Sequence, residues 1–293
     1  MSTSPSACSP TITIRTAVPA DATRAGQICF EAFKSIADTH RFPPDFPSPL
    51  VARELIAAFI SHPDAYGVVA ELDGSIVGSN FLLGTTVGGV GPITIAPRLQ
   101  NAGVGRKLMN AVLDRAQEAG MVSVRLVQAG YHTRSLALYA SLGFACREHL
   151  ALMQGKPFLQ AVPSHDVRGA AITDADAVTA LCERVHGHGR RADFLDGVSQ
   201  GTARVVEVDG RLVAYSSGLA FFGHTVAETN DGLKALIGSG ETFGGPGILV
   251  PTRNQEVFRW SLARGLRVVQ PMTLMTRGLY GEPQGAYLPS VLY

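Results

Sequence analysis

The spacing of apolar residues divides the chain into helical and extended stretches. Ala25, Ile28, Ala32 and Ile36 recur at three- and four-residue intervals behind Asp21, which predicts a helix capped by that aspartate and preceded by a short strand from Ile14. Val178, Leu181, Cys182 and Val185 repeat the arrangement behind Asp174. A third stripe, Val104, Leu108, Ala111, Val112 and Ala116, predicts an amphipathic helix that Gly120 stops. Residues 69–77 and 205–213 read instead as strand pairs folded on Asp73-Gly74 and Asp209-Gly210, because Asp-Gly accepts the positive φ angles of a two-residue hairpin turn. Residues 91–97 and 122–127 read as further strands, the first with Ile93 and Ile95 on one face and Thr94 on the other.

These elements recur in register. At an offset of 153 residues, Arg15, Ala17, Asp21, Ala22 and Cys29 meet Arg168, Ala170, Asp174, Ala175 and Cys182. At an offset of 136 the two hairpins coincide, and at 122 Leu142-Gly143-Phe144 meets Arg264-Gly265-Leu266, each a glycine stop leading into a strand. The second copy is therefore 17 residues shorter between its first helix and its hairpin, and 14 shorter between hairpin and late helix. Scaffold is kept while connections, where binding and catalytic groups concentrate, are cut. Two copies of one fold with unequal tasks are expected.

Composition agrees with two domains. The 293 residues are 46% hydrophobic and 17% charged, enough to bury a core. A net charge of +1 supplies no general field toward nucleic acid or an anionic membrane. Cys8, Cys29, Cys146 and Cys182 form no Cys-x-x-Cys pair, which argues against a zinc ribbon, a redox motif or a disulfide scaffold. The first ten residues lack the basic start and apolar run of a secretory leader, so a cytoplasmic location is expected. Residues 74–97 run 24 positions without a charge, long enough to cross a bilayer. Their six glycines, two prolines and interspersed Ser, Thr and Asn suit buried strands and turns instead, so no membrane partner is expected.

The chemistry gathers in the first copy. Between the strand at 91–97 and the helix from Val104 stands Arg98-Leu99-Gln100-Asn101-Ala102-Gly103-Val104-Gly105-Arg106-Lys107. A Gly-x-Gly turn at a helix N-terminus offers main-chain N–H groups and the positive helix end, and Arg98, Arg106 and Lys107 add charge to that anion cradle. A Cβ on either glycine would hold a pyrophosphate away from those donors. The third glycine of a dinucleotide fingerprint and the Gly-Lys-Ser/Thr of a P-loop are both missing. Downstream of the 122–127 strand comes His132-x-x-Ser135-x-x-Leu138-Tyr139-x-x-Leu142-Gly143-Phe144. Gln100-x-x-Gly103-x-Gly105-Arg106 behind Ala-Pro, together with this second run, resembles the signature motifs of the GCN5-related N-acetyltransferase (GNAT) superfamily over residues 12–150. The departure is His132, where that superfamily usually has asparagine.

The resemblance implies an α/β (α+β) protein of two tandem GNAT-like domains, 11–157 and 165–293, each a mixed central sheet flanked by helices. The second would be degenerate. Residues 221–236 pass from strand to helix with no Gly-x-Gly, and Asn254-x-x-Val257-x-x-x-Ser261-x-x-x-Gly265 carries serine in the tyrosine position. The resemblance further implies acetyl-CoA as cosubstrate, no metal, and a small-molecule amine as acceptor. Its contacts would come from Ile93, Ile95, Gln100, Asn101, Ala102, Gly103, Val104, Gly105, Arg106, His132 and Ser135, with Tyr139 donating to the leaving thiolate. For the base, His40, Asp38, Asp45, His132 and the terminal carboxylate of Tyr293 stay open. The proline-stiffened segment 38–47 reads equally as an acceptor wall or an ordinary loop. Cys182, His186 and His188 could share a helix end but lack a fourth metal ligand nearby, and His224 and Glu228 are expected on one strand face, lining an interface or pocket. A CoA-binding sensor or scaffold without turnover is the competing reading, and a homodimer is compatible with either.

Overall fold

The computed structural model describes residues 11–293; Cys8 and the expected absence of a leader lie outside them. The first part of the chain forms β1 (Ile12–Thr16), α1 (Ala22–His40), α2 (Pro49–Ser61), β2 (Ala65–Leu72), β3 (Ser75–Leu83), β4 (Val87–Val90), β5 (Thr94–Ile95) and α3 (Val104–Glu118). Next come β6 (Ser123–Ala129), α4 (Thr133–Ser141), β7 (Ala145–Gln154), β8 (Asp166–Gly169), α5 (Ala175–His186) and α6 (Arg191–Ser199). The remainder is β9 (Arg204–Val208), β10 (Arg211–Ser216), β11 (Thr225–Ala227), α7 (Asn230–Gly238), β12 (Ile248–Pro251), α8 (Gln255–Ala263), β13 (Arg267–Gly278) and β14 (Ala286–Leu288). The charge-free stretch 74–97 is strand and turn, and no helix among the described residues is long and apolar enough to cross a membrane.

By contacts the chain divides into two compact units. Among the described residues, the first holds those from Thr11 to Thr85 together with Val90–Met121. In it β1, β2 and β3 pair antiparallel, and β5 pairs with β3. Alternation along β3 sends Phe81 against Phe59 of α2, with ring centroids 5.4 Å apart, while Asn80 reaches the Leu108 carbonyl of α3. Helices therefore cover both faces of this sheet. Buried positions of α3 are Val104, Leu108, Met109, Val112, Leu113 and Ala116, a broader stripe than periodicity alone marks, and Gly120 ends it at φ 69°.

The second unit holds Thr86–Gly89 and Val122–Tyr293, and contains two sheets. In one, Val87–Gly89 runs parallel to Ser123–Arg125 of β6, and β6, β13, β7 and β12 follow side by side, antiparallel. The other has the order β14-β11-β10-β9-β8. β13 lies between β6 and β7 and pairs with both along most of its length. Two strands of the first sequence copy are thus joined by a strand of the second.

The repeated sequence builds repeated local structure. Arg15 donates to both oxygens of Asp21 at 2.7 and 2.9 Å and to Glu71 at 2.7 and 3.0 Å. Arg168 makes the same fork with Asp174, at 2.8 Å twice, and with Glu207 at 2.6 and 3.0 Å. In each copy the aspartate also accepts a main-chain N–H at 2.8 Å, from Val18 or Ala171. The bidentate arginine holds both aspartates below the usual carboxylate range. The hairpin turns match as well: Asp73 and Gly74 have φ of 50° and 74°, and Asp209 and Gly210 have 51° and 74°.

Because β13 satisfies the edges of both β6 and β7, removing it exposes two rows of main-chain donors and acceptors. A chain ending at Gln160 is expected to be insoluble or to lack a cooperative thermal transition. Far-UV circular dichroism and sedimentation test this; a soluble, cooperatively melting fragment contradicts it.

Candidate active site

The glycine turn is built by a change of backbone hand. Asn101 and Gly103 both take positive φ, 72° and 79°, and Gly103 is the N-cap of α3 with no side-chain cap. The first helical bond runs from Lys107 N to Gly103 O at 3.2 Å, so the N–H groups of Gly103, Val104 and Gly105 have no acceptor within the helix. A Cβ placed on Gly103 meets nothing within 4 Å. Glycine is favoured there for conformation, not for packing. Arg98 and Arg106 are exposed beside the turn. Lys107 corrects the expected cluster: its ammonium donates to the Ile12 carbonyl at 3.0 Å, fastening α3 to β1. Just upstream, Thr94 is buried with its hydroxyl 3.2 Å from that of Ser79, while Ile93 and Ile95 are partly exposed. Among the described residues β5 pairs with β3 alone, which leaves its other edge able to receive an extended ligand.

In the second unit, α4 gathers three of the predicted residues. Ser135 Oγ lies 2.5 Å from His132 Nδ1, and Ser135 also hydrogen-bonds Tyr139 one turn further on. Tyr139 is buried, packed edge-on against Phe144 with centroids 6.1 Å apart. Burial pushes its phenol up to about 12, against the opposing pull of Ser135. The counterpart helix shows what the histidine changes. Asn254 caps α8 by accepting the Val257 N–H at 3.3 Å, whereas His132, at the same N-cap position of α4, spends its side chain on Ser135. Ser261, in the Tyr139 position, is fully buried and its hydroxyl has no partner among the described residues.

A Gly-x-Gly turn on the N-terminus of a helix after a short strand, and a buried tyrosine on a helix closed by Gly-Phe, are features with known counterparts. Residues 32–144 match the family model described as Acetyltransferase (GNAT) family. A curated relative, an "IAA acetyltransferase" from Azospirillum brasilense, is 31% identical over 91 residues, covering 30% of this chain and 60% of its own length. This chain therefore spans less than two thirds of that relative. Two crystal structures align over nearly all of both chains. A proposed acetyltransferase from Pyrococcus horikoshii gives a TM-score of 0.71 at 16% identity, over 96% of this chain and 92% of the other. A GCN5-related N-acetyltransferase from Sphaerobacter thermophilus gives 0.60 at 15% identity, over 92% and 96%. The fold is that of these two structures, a mixed α/β fold with helices flanking its sheets. The likeness to these two structures extends through both sequence copies.

On this scaffold the remaining predicted residues scatter. His40 is exposed on the last turn of α1, and Asp38 is held by Lys34 at 2.6 Å. Phe46 packs edge-on against Phe33 at 5.4 Å, so the proline-rich segment is folded onto α1. Those residues and the glycine turn belong to the first unit; Tyr139, His132, Ser135 and Tyr293 belong to the second. His224 and Glu228 flank the three residues of β11, and each reaches a residue of α5, His186 for the first and Arg184 for the second. Glu228 takes Arg211 and Arg184 in ion pairs of 2.7 and 3.0 Å.

His224 joins a cluster that sequence spacing did not assemble. Cys182, His186 and His224, all buried, bring their ligand atoms within 4.8 Å of one another. The chain's last residue closes the cluster. Tyr293 is 1% exposed, its hydroxyl lies 3.1 Å from His186 Nδ1, and the Arg125 guanidinium sits 4.2 Å from its ring centroid. The Leu292 carbonyl passes so close to Gly89 that a Cβ there would approach it to 1.9 Å. A fixed donor orders the protons. Ser290 N–H donates to His224 Nδ1 at 3.3 Å, so His224 Nε2 carries hydrogen and donates to His186 Nε2 at 3.3 Å. His186 Nδ1 then donates to Tyr293. Arg125 donates to His188 Nε2 at 3.2 Å, and His188 Nδ1 to the Gly189 carbonyl at 3.4 Å.

All three imidazoles are therefore neutral. Burial first, then the neighbouring histidines and arginines, keep His186 and His224 well below the usual range, and burial with Arg125 and Arg190 brings His188 from 6.5 to about 4. In that interval the unfolded chain binds more protons than the folded one, so stability is complete above about 6.5 and falls as pH drops. The loss for His188 alone approaches roughly 3 kcal/mol. Urea midpoints measured from about pH 7 to about pH 4.5 should fall steeply. A flat profile contradicts the neutral cluster.

Proposed function

We propose that this protein is an acetyl-CoA-dependent N-acetyltransferase that moves an acetyl group to a small-molecule amine by direct attack. The observation that carries the reading is the glycine turn. Its main-chain donors, the positive end of α3 and the flanking Arg98 and Arg106 suit a pyrophosphate, and the open edge of β5 at Thr94–Ile95 suits an extended arm that pairs as an added strand. Ile93, Ile95 and Gln100 to Arg106 would form the cosubstrate contacts on the first unit.

The amine nitrogen attacks the thioester carbonyl, the carbon–sulfur bond breaks, and the thiolate leaves with a hydrogen bond from Tyr139. A phenol at about 12 facing a thiol near 8.5 makes full transfer uphill by about 5 kcal/mol. Tyr139 therefore serves as a positioned donor that stabilises sulfur, with Ser135 and His132 holding its orientation. The proton lost by the amine goes to water or to the terminal carboxylate of Tyr293, whose chain end is fixed by Gly89, His186 and Arg125. His40, exposed on α1, stays a second candidate for that role. The two sequence copies are read as tandem GNAT domains, the second without a cosubstrate site.

A thiol-release assay with acetyl-CoA and a panel of amines tests the reading. Turnover with at least one amine is expected; binding of acetyl-CoA with no thiol release for any of them supports the sensor reading instead. Within an active pair, Tyr139→Phe should bind acetyl-CoA normally and turn over about tenfold slower or worse. Extending the chain beyond Tyr293 should also lower turnover. Unchanged rates remove Tyr139 and the chain end from the mechanism.

A further inference from the structure

The cluster around Tyr293 contains more buried positive charge than its surroundings neutralise. Arg125 is 2% exposed, its guanidinium carbon lies 5.1 and 4.2 Å from the ring centroids of Tyr280 and Tyr293, and Ser123 Oγ and His188 Nε2 are its polar partners. Among the described residues no carboxylate, the chain's own terminus included, lies within ion-pair distance of it. Arg190 has a side chain 10% exposed and flanks the same Tyr293 ring at 5.5 Å. It reaches Asp193 at 2.5 Å through Nη2, but its buried Nε has no partner among the described residues. Five N–H donors per guanidinium, and few acceptors, are held where water is scarce.

A buried charge without its counter-ion is costly, and aromatic faces offset part of that cost only. The geometry does not suit a cation. Although Cys182, His186 and His224 approach as metal ligands do, the Ser290 N–H puts hydrogen on His224 Nε2, the atom a metal would need, and two guanidiniums stand beside the trio. Both arginines border the Tyr293 ring, and their charge calls for an anion. A carboxylate matches the guanidinium fork with two oxygens, and the surrounding tyrosine rings suit an apolar or aromatic body behind it.

The site also lies on the strand that leads to the proposed donor. Arg125 pairs with Gly89 at the last parallel rung between β4 and β6, and β6 continues directly toward α4 and Tyr139. We infer that Arg125 and Arg190 form a carboxylate-binding subsite, and that the acceptor is an amine bearing a carboxylate, of the amino-acid class. This assignment of a role rests on the acetyltransferase reading; the anion site itself does not.

Calorimetric titration of the full chain with benzoate, benzylamine and inorganic phosphate reads binding without turnover. Saturable binding of benzoate, absent for benzylamine and weaker for phosphate, is expected, and Arg190→Gln should weaken it about tenfold or more. Should Arg190→Gln fail to fold, the unsubstituted chain decides. Equal response to benzoate and benzylamine, no response to benzoate, or preference for phosphate overturns the subsite, as does unchanged affinity in a folded Arg190→Gln. Thiol release with tyrosine and with tyramine then tests the role. Faster turnover of tyrosine, lost in Arg190→Gln, supports it, and faster tyramine turnover overturns it. Benzoate binding lost in Arg190→Gln with no amine acetylated upholds the subsite and overturns the transferase reading alone.

Discussion

The main-chain edges of β6 and β7 cannot satisfy each other. They are the last two strands of the first sequence copy, and β13 of the second copy lies between them, pairing Met272–Gly278 with Ser123–Ala129 on one side and Arg267–Thr276 with Ala145–Gln154 on the other. Unpaired buried amides and carbonyls are costly enough that this arrangement ties the two copies into one folding problem. It also gives a physical reason for retaining a second copy that has no glycine turn. That copy supplies a strand, and its final residues supply Leu292 against Gly89 and Tyr293 against Arg125.

Charge is arranged in two contrasting ways. Arg15 and Arg168 are each gripped by two carboxylates in the same pattern, so they fasten a strand, a helix start and a hairpin and have little left to offer a ligand. Arg125 and Arg190 are buried among tyrosines and neutral histidines with a single aspartate in ion-pair reach. A net charge of +1 averages over both arrangements, which is why composition says little about where an anion would bind.

Features set by local chemistry were legible in the sequence. The Asp-Gly turns, the glycine stops at Gly120, Gly143 and Gly265, and the Gly103 turn depend on φ angles that few residues accept, and all appear where their residues predict. The matched Arg, Asp and Glu positions of the repeat also become matched hydrogen-bond forks. What was not legible depends on long-range pairing. No spacing rule brings His224 to His186, sends Lys107 to the Ile12 carbonyl, or places β13 between β6 and β7. Within the site, Ser135 could be expected near Tyr139 from helical periodicity, but the bridge to His132 needed the N-cap geometry of α4.

On the proposed function, two copies of one scaffold carry a single cosubstrate site, on the glycine turn of the first. Calorimetric titration of the full chain with acetyl-CoA measures this directly as a stoichiometry. One molecule bound per chain, with affinity lost when Gly103 is replaced by valine in a chain that still folds, is the predicted result. Two molecules per chain, or one whose affinity ignores Gly103→Val, would contradict it.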